Sequence, residues 1–119
     1  MAYDTGLAHR IEEIVEPFPG RARKAMFGGV VYLANGNIAY GIWHDRLIVR
    51  CGPSDYAACL ARPNVAPFDV TGRPMSGWVT VAPEGFAEDD SLAWWLQLGW
   101  AFASALPPKA VGARRRAKR

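Results

Sequence analysis

The sequence predicts one α+β domain in the order α-β-β-β-α-β-β-α, an antiparallel sheet packed by helices. Three observations carry that prediction: an amphipathic helical repeat near the N-terminus, an Asn-Gly pair between β-rich runs, and a tryptophan-rich helical segment ahead of two prolines. At 119 residues the chain has room for one domain and little more. Half of it is apolar, 21% is charged and 12% is aromatic, which excludes collagen-like, low-complexity and wholly disordered classes.

Over residues 3–16, Tyr3, Leu7, Ile11, Ile14 and Val15 share one helical face, and His9, Glu12, Glu13 and Glu16 share the other. Asp4 or Thr5 is placed to cap this helix, and Pro17-Phe18-Pro19-Gly20 ends it. From residue 22 to residue 51 the period shortens. Asn35-Gly36 separates Val30-Val31-Tyr32-Leu33 from Ile38-Ala39-Tyr40-Gly41-Ile42-Trp43, and both turn residues tolerate the positive φ that a two-residue type I′ hairpin demands. His44-Asp45 then leads to residues 46–51, where Leu47, Val49 and Cys51 point one way and Arg46, Ile48 and Arg50 the other. A three-stranded antiparallel meander follows.

Gly52-Pro53-Ser54 reads as a turn, with Ser54 the N-cap of a short helix over residues 55–61 that Arg62-Pro63-Asn64 ends. Two extended runs, over residues 65–70 and 77–81, are separated by the loop Thr71-Gly72-Arg73-Pro74-Met75. The last helix begins near Glu88-Asp89-Asp90, acids that suit a helix N-terminus, and runs through Leu92 to Leu106 until Pro107-Pro108 ends it. Its apolar residues span about 240° of the circumference at 100° per residue, leaving Ala93, Gln97, Ala101 and Ser104 to fill the rest. So wide an arc predicts a second contact beyond one sheet face, with Trp94 and Leu98 as the residues presented to another subunit, a partner or a membrane surface. As a helix the segment is about 22 Å long, too short to cross a hydrocarbon core of about 30 Å.

The net charge is +3, but its distribution matters more than its sum. Residues 107–119 hold Lys109, Arg114, Arg115, Arg116, Lys118 and Arg119 with no acid, leaving 8 basic and 11 acidic groups in the other 106 residues. The expected organisation is therefore a net-acidic folded domain over residues 1–106 and a basic tail, read as disordered, over residues 107–119. Cys51 and Cys59 are too few for a disulfide scaffold, and their C-x7-C spacing matches none of the usual zinc pairings, so both are read as reduced core thiols. The N-terminus lacks the basic and apolar regions of a signal peptide; with the cysteine usage, this makes the cytoplasm the expected location.

Several residue strings stand out together. These are Lys24-Ala25-Met26-Phe27-Gly28-Gly29, Gly41-Ile42-Trp43, Arg50-Cys51-Gly52-Pro53, Phe68-Asp69-Val70-Thr71-Gly72-Arg73-Pro74-Met75, Gly77-Trp78 and Leu106-Pro107-Pro108-Lys109. Taken in this order over residues 3–109, they make the chain resemble the N-terminal domain of the TfoX/Sxy family. The resemblance implies an α+β architecture like that of secretion chaperones, in agreement with the order of elements above. It also implies a regulatory, non-enzymatic role, since two-domain members regulate natural competence and transcription alongside other transcription factors. The chain ends where their C-terminal helical domain begins, so it is expected to be a stand-alone short member, and a competence role is not carried over.

Gly28-Gly29 fits neither a P-loop nor a dinucleotide fingerprint and reads as a site of strand bending or close backbone packing. Arg50 and Arg73 each lie beside Gly and Pro, where a guanidinium presents its planar fork to a carboxylate or phosphate. Two readings stand for them: a structural pair with an acid such as Asp69 or with loop carbonyls, and recognition of a partner or anion together with Lys24, Met75 and Trp78. His9 on a wet helix face, His44 in a turn and the absence of a nucleophile motif give catalysis little to work with, and no metal or cofactor is expected. The leading expectation is a protein-interaction module that engages a transcription factor or a second copy of itself as a homodimer. The alternative is a weak, sequence-independent nucleic-acid binder whose six tail cations contact phosphates.

Overall fold

The computed structural model of the chain describes residues 4–15, 21–26, 29–69 and 76–107, and within them the sheet grows outward from the Asn35-Gly36 turn. Both turn residues adopt positive φ, 53° and 88°, and join β2 (Gly29–Ala34) to β3 (Asn37–Trp43) with Ala34 opposite Asn37. The register slips once: Tyr32 faces Tyr40 while Leu33 faces Ile38, so Ala39 is the extra residue of a β-bulge. His44, with φ of 58°, turns the chain into β4 (Arg46–Arg50). Strand β6 (Trp78–Val81) pairs with β4, and β5 (Val65–Pro67) pairs with β6. The result is a six-stranded, fully antiparallel sheet in the order β1-β2-β3-β4-β6-β5.

The α+β class and the hairpin agree with the sequence, while one strand and one cap differ from it. The additional strand is β1 (Arg21–Met26), which pairs along its whole length with β2. Its residues Ala22, Arg23, Lys24 and Ala25 are all exposed, so neither face carries an apolar alternation that a sequence reading can detect. Ser54 is not an N-cap; it lies within a 3-10 turn, Pro53–Asp55, that leads directly into α2 (Tyr56–Leu60), and no side chain caps either element. A second 3-10 turn, Pro83–Phe86, precedes α3 (Asp89–Ser104).

Helix α1 (Thr5–Val15) is started by Asp4, whose Oδ1 accepts the amide protons of Gly6 at 2.9 Å and Leu7 at 3.2 Å. Its buried residues Leu7, Ala8 and Ile11 join Leu92, Trp95, Leu96, Gly99 and Ala103 of α3 over one face of the sheet, formed by Val30, Tyr32, Tyr40, Ile42, Leu47, Val49, Val79 and Val81. Arg10 ties the two helices at the rim, donating to the Asp89 carboxylate at 2.9 Å and to the carbonyls of Phe86 and Ala87 at 3.0 and 3.3 Å. Val31, Ile48 and Thr80 belong to the opposite face by strand alternation and are buried too, so the centre of the sheet is covered on both sides.

The seat of α3 is set by a missing side chain. A Cβ on Gly99 would stand 2.4 Å from the carbonyl oxygen of Ala39, so the helix backbone rests directly on the β3 bulge. Around that seat the wide apolar arc is covered mostly within the chain: Leu98 and Trp100 are half-buried against the core, and the Trp100 ring lies 6.4 Å from that of Tyr40. Among the described residues, Trp94 is the large hydrophobic side chain left exposed, at 42%.

Gly99→Ala measures this contact. The substitution improves helix propensity by up to about 1 kcal/mol, but overpacking against backbone costs about 1–3 kcal/mol. We expect a net loss of stability in chemical denaturation; a gain would show that α3 does not sit on the bulge.

Candidate functional site

Two groups of side chains carry features beyond packing. The first is at the end of β4, where Arg50 pairs in register with Trp78 of β6. The Arg50 guanidinium lies 5.0 Å from the Trp78 ring centroid and 5.4 Å from that of Phe102 on α3, and it donates a long hydrogen bond of 3.5 Å to the Ile38 carbonyl. Among the described residues no carboxylate lies within ion-pair distance of it, so Asp69 is not its partner. Burial lowers the Arg50 pKa, as expected for a cation held against apolar rings. Trp78 continues into an aromatic row: its ring is 6.0 Å from that of Phe68, which meets Trp43 edge-on at 6.0 Å. The Gly41-Ile42-Trp43, Arg50-Cys51-Gly52-Pro53, Phe68-Asp69 and Gly77-Trp78 strings, far apart in sequence, thus converge across β3, β4 and β6.

The second group faces outward from α3. Arg62, just past α2, places its guanidinium 4.0 Å from the Trp94 ring centroid and 5.6 Å from that of Trp95, and the two indoles meet edge-on at 4.9 Å. A depression of about 420 Å³ opens on one side, lined by Trp94, Trp95, Arg62, Glu84 and Asp90 among others. A smaller one of about 190 Å³ opens on the other, between Asp55, Ala58, Cys59, Arg62, Trp94 and Leu98. Trp94 and Leu98, singled out from the helical arc, therefore share the wall of one depression. Arg62 was legible only as the end of a helix, because its partner ring lies on another element 32 residues later. Phe102 escaped for the same reason: its contact with Arg50 joins α3 to β4.

The structure separates other predicted residues. Lys24 is exposed on β1, three strands from Arg50, about 14 Å at ordinary strand spacing. Arg73 and Met75, and the tail residues Lys109, Arg114, Arg115, Arg116, Lys118 and Arg119, lie outside the described residues. Gly29 fits the close-packing reading, since a Cβ there would stand 2.0 Å from the Ile42 carbonyl oxygen. His9 and His44 are exposed, and His44 stacks beside Trp43 with centroids 5.0 Å apart. Among the described residues no cluster of His, Cys, Asp or Glu is arranged to hold a metal ion, and no helix is long and apolar enough to cross a membrane.

Cys51 and Cys59 are free thiols, both buried, where the end of β4 meets α2. Cys51 donates its proton to the Gly77 carbonyl at 3.4 Å. Burial, reinforced by the neighbouring Cys59, pushes its pKa up from 9.0 to about 12, and burial raises Cys59 as well. The folded state therefore holds these protons more tightly than the unfolded chain. Its stability from this source is complete below pH 9 and is lost as pH rises from 9 towards about 12. We expect denaturation midpoints to fall across that window and to fall less in Cys51→Ala; an equal fall in both proteins would remove Cys51 as the cause.

Residues 13–103, well over half of the chain, match the family model of the TfoX N-terminal domain. Neither the curated proteins nor the solved structures give a significant match. The order of elements and the convergence of the motif strings on one part of the sheet agree with the family match: the chain belongs to the TfoX N-terminal domain family.

Proposed function

We propose that the chain is a non-enzymatic regulatory module of the cytoplasm that acts by binding protein, either a transcription factor or a second copy of itself. The observation that supports this reading best is Trp94, exposed on the outward side of a helix whose inner side is fixed to the sheet, with Arg62 stacked upon it between two depressions. Tryptophan and arginine beside a pocket are among the residue types enriched at the energetic centres of protein interfaces.

Light scattering and capture by the immobilised full chain test it. Trp94→Glu is expected to abolish self-association or partner capture while leaving the melting temperature nearly unchanged, whereas Leu98→Glu, at a position half-buried against the core, is expected to lower the melting temperature as well. Leu96→Glu, at a fully buried position, is expected to unfold the domain. If Trp94→Glu retains the wild-type mass and partner, the outward face of α3 is not the interface.

The surroundings of Arg50 support a structural role instead. Arg50→Lys keeps the charge but loses the planar group that lies against Trp78 and Phe102, and the melting temperature is expected to fall by several degrees with capture retained. An unchanged melting temperature with capture lost would instead make Arg50 part of the recognition surface.

A further inference from the structure

Charge is partitioned in this chain, and the groove beside Trp94 lies where the acidic side of the partition is densest. Residues 84–90 contain four of the eleven acids, Glu84, Glu88, Asp89 and Asp90. Asp89 is engaged by Arg10. Glu84 and Asp90 are exposed, line the larger depression with Trp94 and Trp95, and enter no ion pair among the described residues. Arg62 already stacks on the Trp94 indole in this depression, so the two exposed carboxylates outnumber the one cation beside them and leave acceptors for further guanidinium groups, which pair with carboxylates through a planar fork.

The chain carries its own supply of such groups. Beyond Pro107 come six cations and no acid. The point of departure is fixed, because Asn37 Nδ2 donates to the Pro107 carbonyl at 2.9 Å. Helical rise puts Trp94 about 20 Å back along α3 from that point. Extended chain advances about 3.3–3.6 Å per residue, so Arg114, Arg115 and Arg116 reach roughly 23–32 Å from Pro107, while Lys109 reaches only about 7 Å. The outward track between the two ends, Gln97, Ala101, Ser104 and Ala105, is exposed and uncharged, so nothing along it competes for the arginines.

We propose that the basic C-terminal segment docks in cis along the outward face of α3, with Arg114, Arg115 and Arg116 over the carboxylates of Glu84 and Asp90 beside Trp94. The proposal goes beyond the interaction reading, since it concerns a contact within one chain. A partner that takes Trp94 must then displace the segment. Because the contact is between exposed charges, it weakens as salt shortens the Debye length.

Zero-length carbodiimide coupling of the full chain, dilute and at low salt, tests it by peptide mapping of the monomer band. The expected product is an amide between Lys118 and Glu84, Glu88 or Asp90, with Lys109 uncoupled to these acids. It should be lost in about 1 M salt, where the Debye length is about 3 Å, and lost when Arg114, Arg115 and Arg116 are all changed to Gln. No Lys118 product, coupling spread equally to Asp4, Glu13 and Asp45, a product found only in the dimer band, or one that survives the triple substitution would each overturn docking in cis. None of these results depends on the Trp94→Glu capture experiment, so the two ideas fail separately.

Discussion

The carbonyl oxygen of Ala39 decides where the last helix lies. A bulge in β3 turns that oxygen towards α3, and the helix reaches it because residue 99 has no side chain to keep the backbones apart. Once α3 is seated there, Leu92, Trp95, Leu96 and Ala103 are committed to the core and α1 closes the rest of the same sheet face. The same seating turns Trp94 to the outside and puts Phe102 within reach of Arg50. Both candidate sites are therefore consequences of one backbone contact, and a shift of α3 by one turn would dismantle them together.

The two arginine–aromatic groups differ in what surrounds them. Arg50 is half-buried, touches two rings on different elements and has a backbone acceptor, which is how a cation is used to join parts of a fold. Arg62 is exposed, stacks on an exposed indole and borders open space on both sides. A residue whose contacts are satisfied within the fold has little left to offer a partner, whereas the Arg62–Trp94 pair presents a preformed, low-entropy surface. Family motifs thus point to the first group and physical exposure points to the second.

Much of the architecture was legible in the sequence because its signals are local. Asn35-Gly36 fixes a hairpin by the φ values its residues tolerate, and the period of Leu7, Ile11 and Ile14 reveals a helix lying on a core. Strand β1 was not legible, since an edge strand exposed on both faces has no hydrophobic alternation to display. Ser54 misled because Gly52, with φ of 89°, starts a 3-10 turn that bypasses the usual cap. The pairing of Arg50 with Trp78 and the stacking of Arg62 on Trp94 depend on sheet order and helix seating, and no local pattern in one segment encodes them. The candidate residues could be named from the sequence; their grouping could not.

Native-state hydrogen exchange on the full chain tests most directly whether α3 and the sheet are one cooperative unit. The account predicts that amides over residues 95–103 of α3 exchange with the same opening free energy as the slowest amides of β3 and β4, equal to that of global unfolding. If the α3 amides instead exchange through a lower-energy opening that leaves β3 and β4 protected, the helix is a separable element, and the contact between Gly99 and Ala39 does not hold the structure together.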